Sequence, residues 1–262
     1  MFHWIFDAPL WLTGPLLVAL LVGFSLLGVQ LVRTRVLPRL RVGHEDAHFV
    51  GTIVHSIMVF YGLVLALIAV NLFETYAESE RVVSTEATAI GAFYRDTEFY
   101  PEPTRGELGT GVRDYLEHVI HEEWPLQRRG QVPEGGVEKM ARIQSSLQAF
   151  EPATKSQEIL HAEALHAYNR FVETRRARLD QVQSGLPGVM WLVVVLGAVI
   201  SLSAAFFFKV TDERLHGILV SLLAVFIASV IFVMLALDHP FRGDLGVRPE
   251  SYQLIYDHMM KP

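Results

Sequence analysis

The segment His44-Glu45-Asp46-Ala47-His48 carries the most pointed chemistry in the chain, because it fits H-E-x-x-H. Two histidines one helical turn apart hold zinc in that pattern, and the intervening glutamate acts as a base. It would make a membrane metal-dependent hydrolase. No third ligand follows in a recognisable downstream motif, and the competing reading is a polar interfacial segment leading into an apolar stretch. No glycine-rich phosphate loop and no serine elbow is present. With Cys 0 there is no disulfide framework, thiolate metal site or cysteine nucleophile. The expectation is a chain that is not an enzyme, with no cofactor and no metal.

The remaining candidates suit ion handling better than bond breaking. His55 lies inside an apolar run, where an ionisable group usually faces a bundle interior or water, so it could line a pore or relay protons. A neutral histidine bonded to a neighbouring helix is the alternative. Asn71, Glu74, Glu78 and Arg81 recur at three- and four-residue spacing and therefore share a helix face. In an oligomer they would ring a pore mouth, and acidic rings attract cations. A solvated face with a Glu78–Arg81 pair has the same pattern. Arg175, Arg176 and Arg178 would draw anions toward a vestibule or simply solvate a stalk, and their spacing puts at most two on one face. Tyr61, Trp191, Gly197, Ser201, Ser203, Ala204 and Ser229 permit close helix approach and cross-helix hydrogen bonds.

The elements that must position these residues are membrane helices. The 262 residues are 51% hydrophobic and 19% charged, so the apolar residues must be concentrated. Residues 10–32, 49–73, 185–208 and 217–237 contain no Asp, Glu, Lys or Arg. Each reaches the roughly 20 residues a hydrocarbon core demands. The first is read as a retained span, since Met1 to Pro9 has no Lys or Arg and no small-residue cleavage site follows. Arg33, Arg35, Arg39 and Arg41 in one short loop, and Lys209 with Arg214 in the other, place both loops in the cytoplasm. The termini and the domain between spans two and three then lie outside it. A formal charge of -6 gives no basic excess for nucleic acid, so that partner class is excluded.

Organisation follows as residues 1–73, a transmembrane hairpin; 74–184, a helical water-facing domain; 185–237, a second hairpin; and 238–262, a tail. Proline-free sequence from Asn71 to Tyr94 predicts that span two continues as one helix ending before Pro101. Residues 104–123 predict an amphipathic helix with Leu108, Val112, Tyr115, Leu116 and Val119 near one face, stopped around Trp124-Pro125 and Gly130. Residues 137–149 predict a third helix. Residues 154–183 predict a long one running into span three, broken or bent at Gly185 and Pro187. The fold class is an all-α membrane protein with four transmembrane helices and an inserted helical bundle, spans two and three continuing as stalks.

The order of several short segments resembles the bestrophin-like family of bacterial membrane proteins. They are His44-Glu45-Asp46, Tyr61-Gly62-Leu63-Val64-Leu65-Ala66, Ser84-Thr85-Glu86-Ala87 with Tyr94-Arg95, then Tyr115 and Glu122-Glu123-Trp124-Pro125. Tyr168-Asn169, Arg175-Arg176-Ala177-Arg178-Leu179, Leu186-Pro187, Trp191 and Asp238-His239-Pro240-Phe241-Arg242-Gly243 complete the series. The resemblance implies a likeness to oligomeric anion channels. No EF-hand spacing of Asp and Asn supports calcium gating. The expected function is a homo-oligomeric channel for small anions in a bacterial inner membrane, its pore lined by span two through His55, Tyr61, Asn71, Glu74 and Glu78, with Arg175, Arg176 and Arg178 as vestibule charge. A non-conducting sensor or scaffold is the alternative. Its partners would be the lipid bilayer, further copies of the chain and inorganic ions.

Overall fold

A computed structural model describes residues 10–39, 44–208, 210, 212–243 and 245–260. Among the described residues there is no strand. The helices are α1 (Leu10–Leu31, widened into a π turn over Val32–Val36), α2 (His44–Thr97), α3 (Thr104–His118, followed by a π turn over Val119–Glu123), α4 (Trp124–Gln127), α5 (Gly136–Ala149), α6 (Lys155–Gln181), α7 (Gly188–Ala205), α8 (Glu213–Leu237) and α9 (Glu250–Ile255, followed by a π turn over Tyr256–Met260). Four of them, α1, α2, α7 and α8, are long and apolar enough to cross a membrane.

Local chemistry explains several of the boundaries. The Asp212 carboxylate caps α8 by accepting from the Arg214 and Leu215 amides at 2.8 and 3.3 Å. At α6 the Thr154 hydroxyl accepts from the Gln157 amide while the Gln157 side chain accepts from the Ala153 amide, a reciprocal cap. The stop expected around Trp124-Pro125 and Gly130 falls at its later end. The helical ladder loosens over Val119–Glu123, and α4 then accepts Pro125 in its first turn, where a missing N–H costs nothing. Gly130, with φ of 70°, ends this run. Residues 238–262, expected only as a tail, contain α9.

The chain divides into two compact units: residues 1–74 with 185–238, and residues 75–184 with 239–262. Helix α2 contributes to both. In the first unit α1 packs against α7 and α8, and α7 packs against α8. Leu65, Leu72, Val194, Leu202, Ala224 and Met234 are buried between helices, while Leu20, Phe60, Leu192 and Phe226 are exposed. Lipid supplies no hydrophobic drive between helices, so close fit must hold such a bundle. Two glycines provide it. A Cβ on Gly197 would lie 2.3 Å from the Tyr61 ring, and one on Gly28 would lie 2.1 Å from the Phe206 ring. The Asp238 carboxylate, at the end of α8, accepts from the Leu186 amide at 2.6 Å and the Trp191 indole at 3.0 Å, tying the start of α7 to the end of α8.

In the second unit α3 packs on α5, and Ile90, Phe93, Leu108, Val112, Ile143, Leu147 and Phe171 form its core. Tyr115 meets Phe171 edge-on at 4.9 Å, and Trp124 meets Phe241 at 5.7 Å and Tyr252 at 5.5 Å. Residues following His239 therefore complete this core.

Candidate ion pathway and buried charge network

Within the first unit, α2 buries a narrow stripe: Val54, Tyr61, Leu65, Ile68 and Leu72. The spacing of seven, four, three and four residues is that of one helix seam. Tyr61 belongs to this seam. Its hydroxyl donates to the Val194 carbonyl at 2.9 Å and its ring covers Gly197. His55, Asn71 and Glu74 are exposed. At about 100° per residue, Asn71, Glu74 and Glu78 fall within about 60° of one another, and His55 stands about 100° or more around the helix from them. By that spacing three of the five expected pathway residues share one helix face.

Glu78, in the second unit, is engaged by Arg81. The guanidinium donates through Nε at 2.7 Å and Nη2 at 2.6 Å, a bidentate pair that holds the Glu78 carboxyl below its ordinary range. Glu74 makes no ion pair among the described residues. His216, at the start of α8, is buried, with Nε2 3.3 Å from the Ala205 carbonyl oxygen.

The three arginines of α6 separate sharply. Arg176 is exposed, whereas Arg175 and Arg178 are buried. Along α6 the buried positions are Ala164, Tyr168, Phe171, Arg175 and Arg178, an alternation of four and three that carries both guanidiniums onto the core seam. Each finds a carboxyl group. Arg178 donates from Nε to Glu86 at 2.6 Å and from Nη2 to Glu123 at 2.9 Å, and Arg175 donates to the other Glu123 oxygen at 3.1 Å. Tyr115 and Tyr252 each donate to Glu86 at 2.9 Å. Arg178, Glu86 and Glu123 are fully buried, and the two carboxyls and two guanidiniums balance in formal charge.

This balance is what makes the cluster tolerable, since a single buried charge without a partner costs several kcal/mol. Burial pulls the Arg178 guanidinium down, but Glu86 leads a set of partners that outweigh it and hold it well above its usual value. Burial, followed by the neighbouring Glu86, pushes the Tyr115 and Tyr252 phenols well up, so both remain donors. Cation–π contacts of Arg178 with Trp124 at 6.0 Å and Tyr252 at 5.9 Å add to the set. The network joins α2, α3 with its π turn, α6 and α9. It can lock four separated pieces of chain into one packing, and it offers no open charge to solvent.

The edge of the network is covered by the Gly135-Gly136 turn. A Cβ on Gly136 would sit 2.2 Å from Glu123 Oε1, and one on Gly135 would sit 2.9 Å from His118 Nε2, so this turn must be glycine for the charges to be sealed. His118 Nδ1 lies 3.1 Å from Glu122. Reading by residue type selected the arginines and passed over Glu86 and Glu123. The available signal was phase. Glu86 falls in step with Val82, Ile90 and Phe93 on α2, and Glu123 falls four residues after Val119, so each is a carboxyl on an apolar seam.

The backbone of His44, Glu45 and His48 forms the first turns of α2, and their side chains lie outside the described residues. A family model described as a bestrophin-like domain matches residues 19–252. No curated protein and no solved structure matches the chain.

Proposed function

The chain belongs to the bestrophin-like family, and on that premise we propose that it is a homo-oligomeric channel for small anions, with α2 lining the pathway. One observation carries this reading. In the first unit α2 packs its Val54–Leu72 seam, flanked by Met58, Val64 and Ala69, into the core and leaves the rest of its circumference, including His55, Asn71 and Glu74, exposed. A rod with so narrow a seam is suited to stand beside its copies around a central axis. The protomer itself offers little alternative, because Val194, Ala198, Leu202, Ala224 and Ala228 fill the space between the spans. A water-filled path then requires several subunits.

Charge bears on ion selection at two places. Arg81 neutralises Glu78 locally, so Glu74 is the one acid of the proposed mouth left without a counter-charge among the described residues. Arg176 is exposed and stands as the vestibule cation of the α6 triplet. Tyr61 contributes by fixing the helix that lines the path, through its bond to Val194. The setting is a bacterial inner membrane, with the short loops bearing Arg33, Arg35, Arg39, Arg41, Lys209 and Arg214 in the cytoplasm and the termini and second unit outside.

Release of chloride from proteoliposomes, read with an internal halide-sensitive dye, tests the reading. The expected outcome is protein-dependent flux that tracks an oligomer seen by mass photometry. Folded, inserted and oligomeric protein without flux of any halide would favour a non-conducting sensor or scaffold.

A further inference from the structure

The second unit contains a cavity of about 460 Å³ between the first turns of its α2 segment and the chain leading into α9. Its volume falls in the range of small-molecule sites. One wall carries Tyr76, Glu80 and Ser84 at successive four-residue steps, and the other carries Arg248, Glu250 and Ser251. Both walls are fixed. The Tyr76 hydroxyl donates to the Leu245 carbonyl at 3.0 Å, and Val247 is held at both ends, its amide by the Pro240 carbonyl at 2.8 Å and its carbonyl by the Trp124 indole at 3.3 Å. Between them Gly246 folds so tightly that a Cβ would lie 2.8 Å from the Phe241 carbonyl oxygen.

The lining carries two carboxylates and one guanidinium on separate walls, Glu80 on one and Arg248 with Glu250 on the other. Arg248 is only loosely engaged by Glu250, at 3.7 Å, and Glu80 faces the Tyr76 phenol, which burial and then Glu80 push above its usual value. A guanidinium beside a serine hydroxyl suits a phosphate. A carboxylate beside an aromatic ring suits an ammonium group. Both groups in one small cavity match a zwitterion. Position along α2 narrows the source: Tyr76 and Glu80 follow the apolar run that ends at Phe73, and a rise of about 1.5 Å per residue carries them roughly 5–10 Å past it. That is the depth of a headgroup layer, where tyrosine is enriched. Leu245, on the rim, is exposed as an acyl chain would require.

We propose that this cavity binds a phosphoethanolamine group, with the phosphate on Arg248 and Ser251 and the ammonium on Glu80 against the Tyr76 ring. The proposal is independent of ion conduction. Full-length protein in detergent is melted with increasing dihexanoyl phosphatidylethanolamine, dihexanoyl phosphatidylglycerol or glycerophosphoethanolamine. The ethanolamine lipid is expected to raise the melting temperature saturably. Arg248→Gln and Glu80→Gln should each raise its half-saturating concentration at least tenfold, with Arg142→Gln unchanged. Stabilisation by the lipid alone supports a membrane source, and equal stabilisation by glycerophosphoethanolamine supports a soluble one. Equal binding of the glycerol lipid, insensitivity to Glu80→Gln, or no shift with any probe in cooperatively melting protein would overturn the assignment.

Discussion

Replacing Arg178 by methionine removes a guanidinium that bonds Glu86 at 2.6 Å and Glu123 at 2.9 Å in a site with no solvent exposure. Two carboxyls then share one remaining counter-charge, Arg175, which reaches only Glu123. Breaking a buried pair from one side costs about 3–5 kcal/mol. At roughly 3–5 °C per kcal/mol for a domain of this size, the unit should melt about 10–20 °C lower. Arg176→Met, at an exposed position of the same helix, should stay within about 0.5 kcal/mol of the parent. Adding Glu86→Gln to Arg178→Met restores formal neutrality while leaving an amide oxygen for Tyr115 and Tyr252, and should recover about 1 kcal/mol or more. Thermal melts of the full-length protein by circular dichroism and tryptophan fluorescence make the comparison. An Arg178→Met protein melting within about 3 °C of the parent would show that the buried network carries no net energy.

Asp238→Ala orphans the Leu186 amide and the Trp191 indole, each charge-assisted bond carrying about 1.5–3 kcal/mol, so a lower melting temperature and a changed Trp191 emission are expected together. Gly28→Ala places a methyl group against the Phe206 ring and should destabilise by about 1–3 kcal/mol in detergent melts, with Phe206→Leu in the same chain restoring stability. The Asp96 carboxyl is pushed up by burial and then by Glu163. A raised folded value means stability present below the ordinary carboxylate range is lost as pH rises through the folded value. Asp96→Asn should therefore raise the melting temperature at about pH 7, with the gain shrinking toward about pH 4.

The four spans were legible because charge-free runs of membrane length rarely occur outside a bilayer, and the inserted helices because proline, glycine and apolar phase punctuate them. Less was legible where one residue serves two patterns. Val119–Glu123 continues the apolar phase of α3, so nothing in residue type marks the π turn that lets Glu123 reach Arg178. Residues 250–255 are too short and polar to stand out as a helix, yet they deliver Tyr252 to Glu86. Arg175 and Arg178 looked like surface charge by type. Their four-three phase with Tyr168 and Phe171 was the stronger signal, and it pointed inward. Tyr61 shows the converse, since its spacing from Val54 and Leu65 sets it in a seam that its hydroxyl alone does not reveal.

Single-channel recording in planar bilayers under a potassium chloride gradient shows whether α2 lines an anion path, comparing the parent with His55→Ala and Glu74→Gln. Discrete current steps reversing near the chloride limit are expected. Glu74→Gln, which removes the acid of the proposed mouth that has no ion pair among the described residues, should move the reversal further toward that limit, and His55→Ala should change the step size. Steps reversing at the potassium limit, or currents identical in both variants, would contradict α2 as the lining of an anion path.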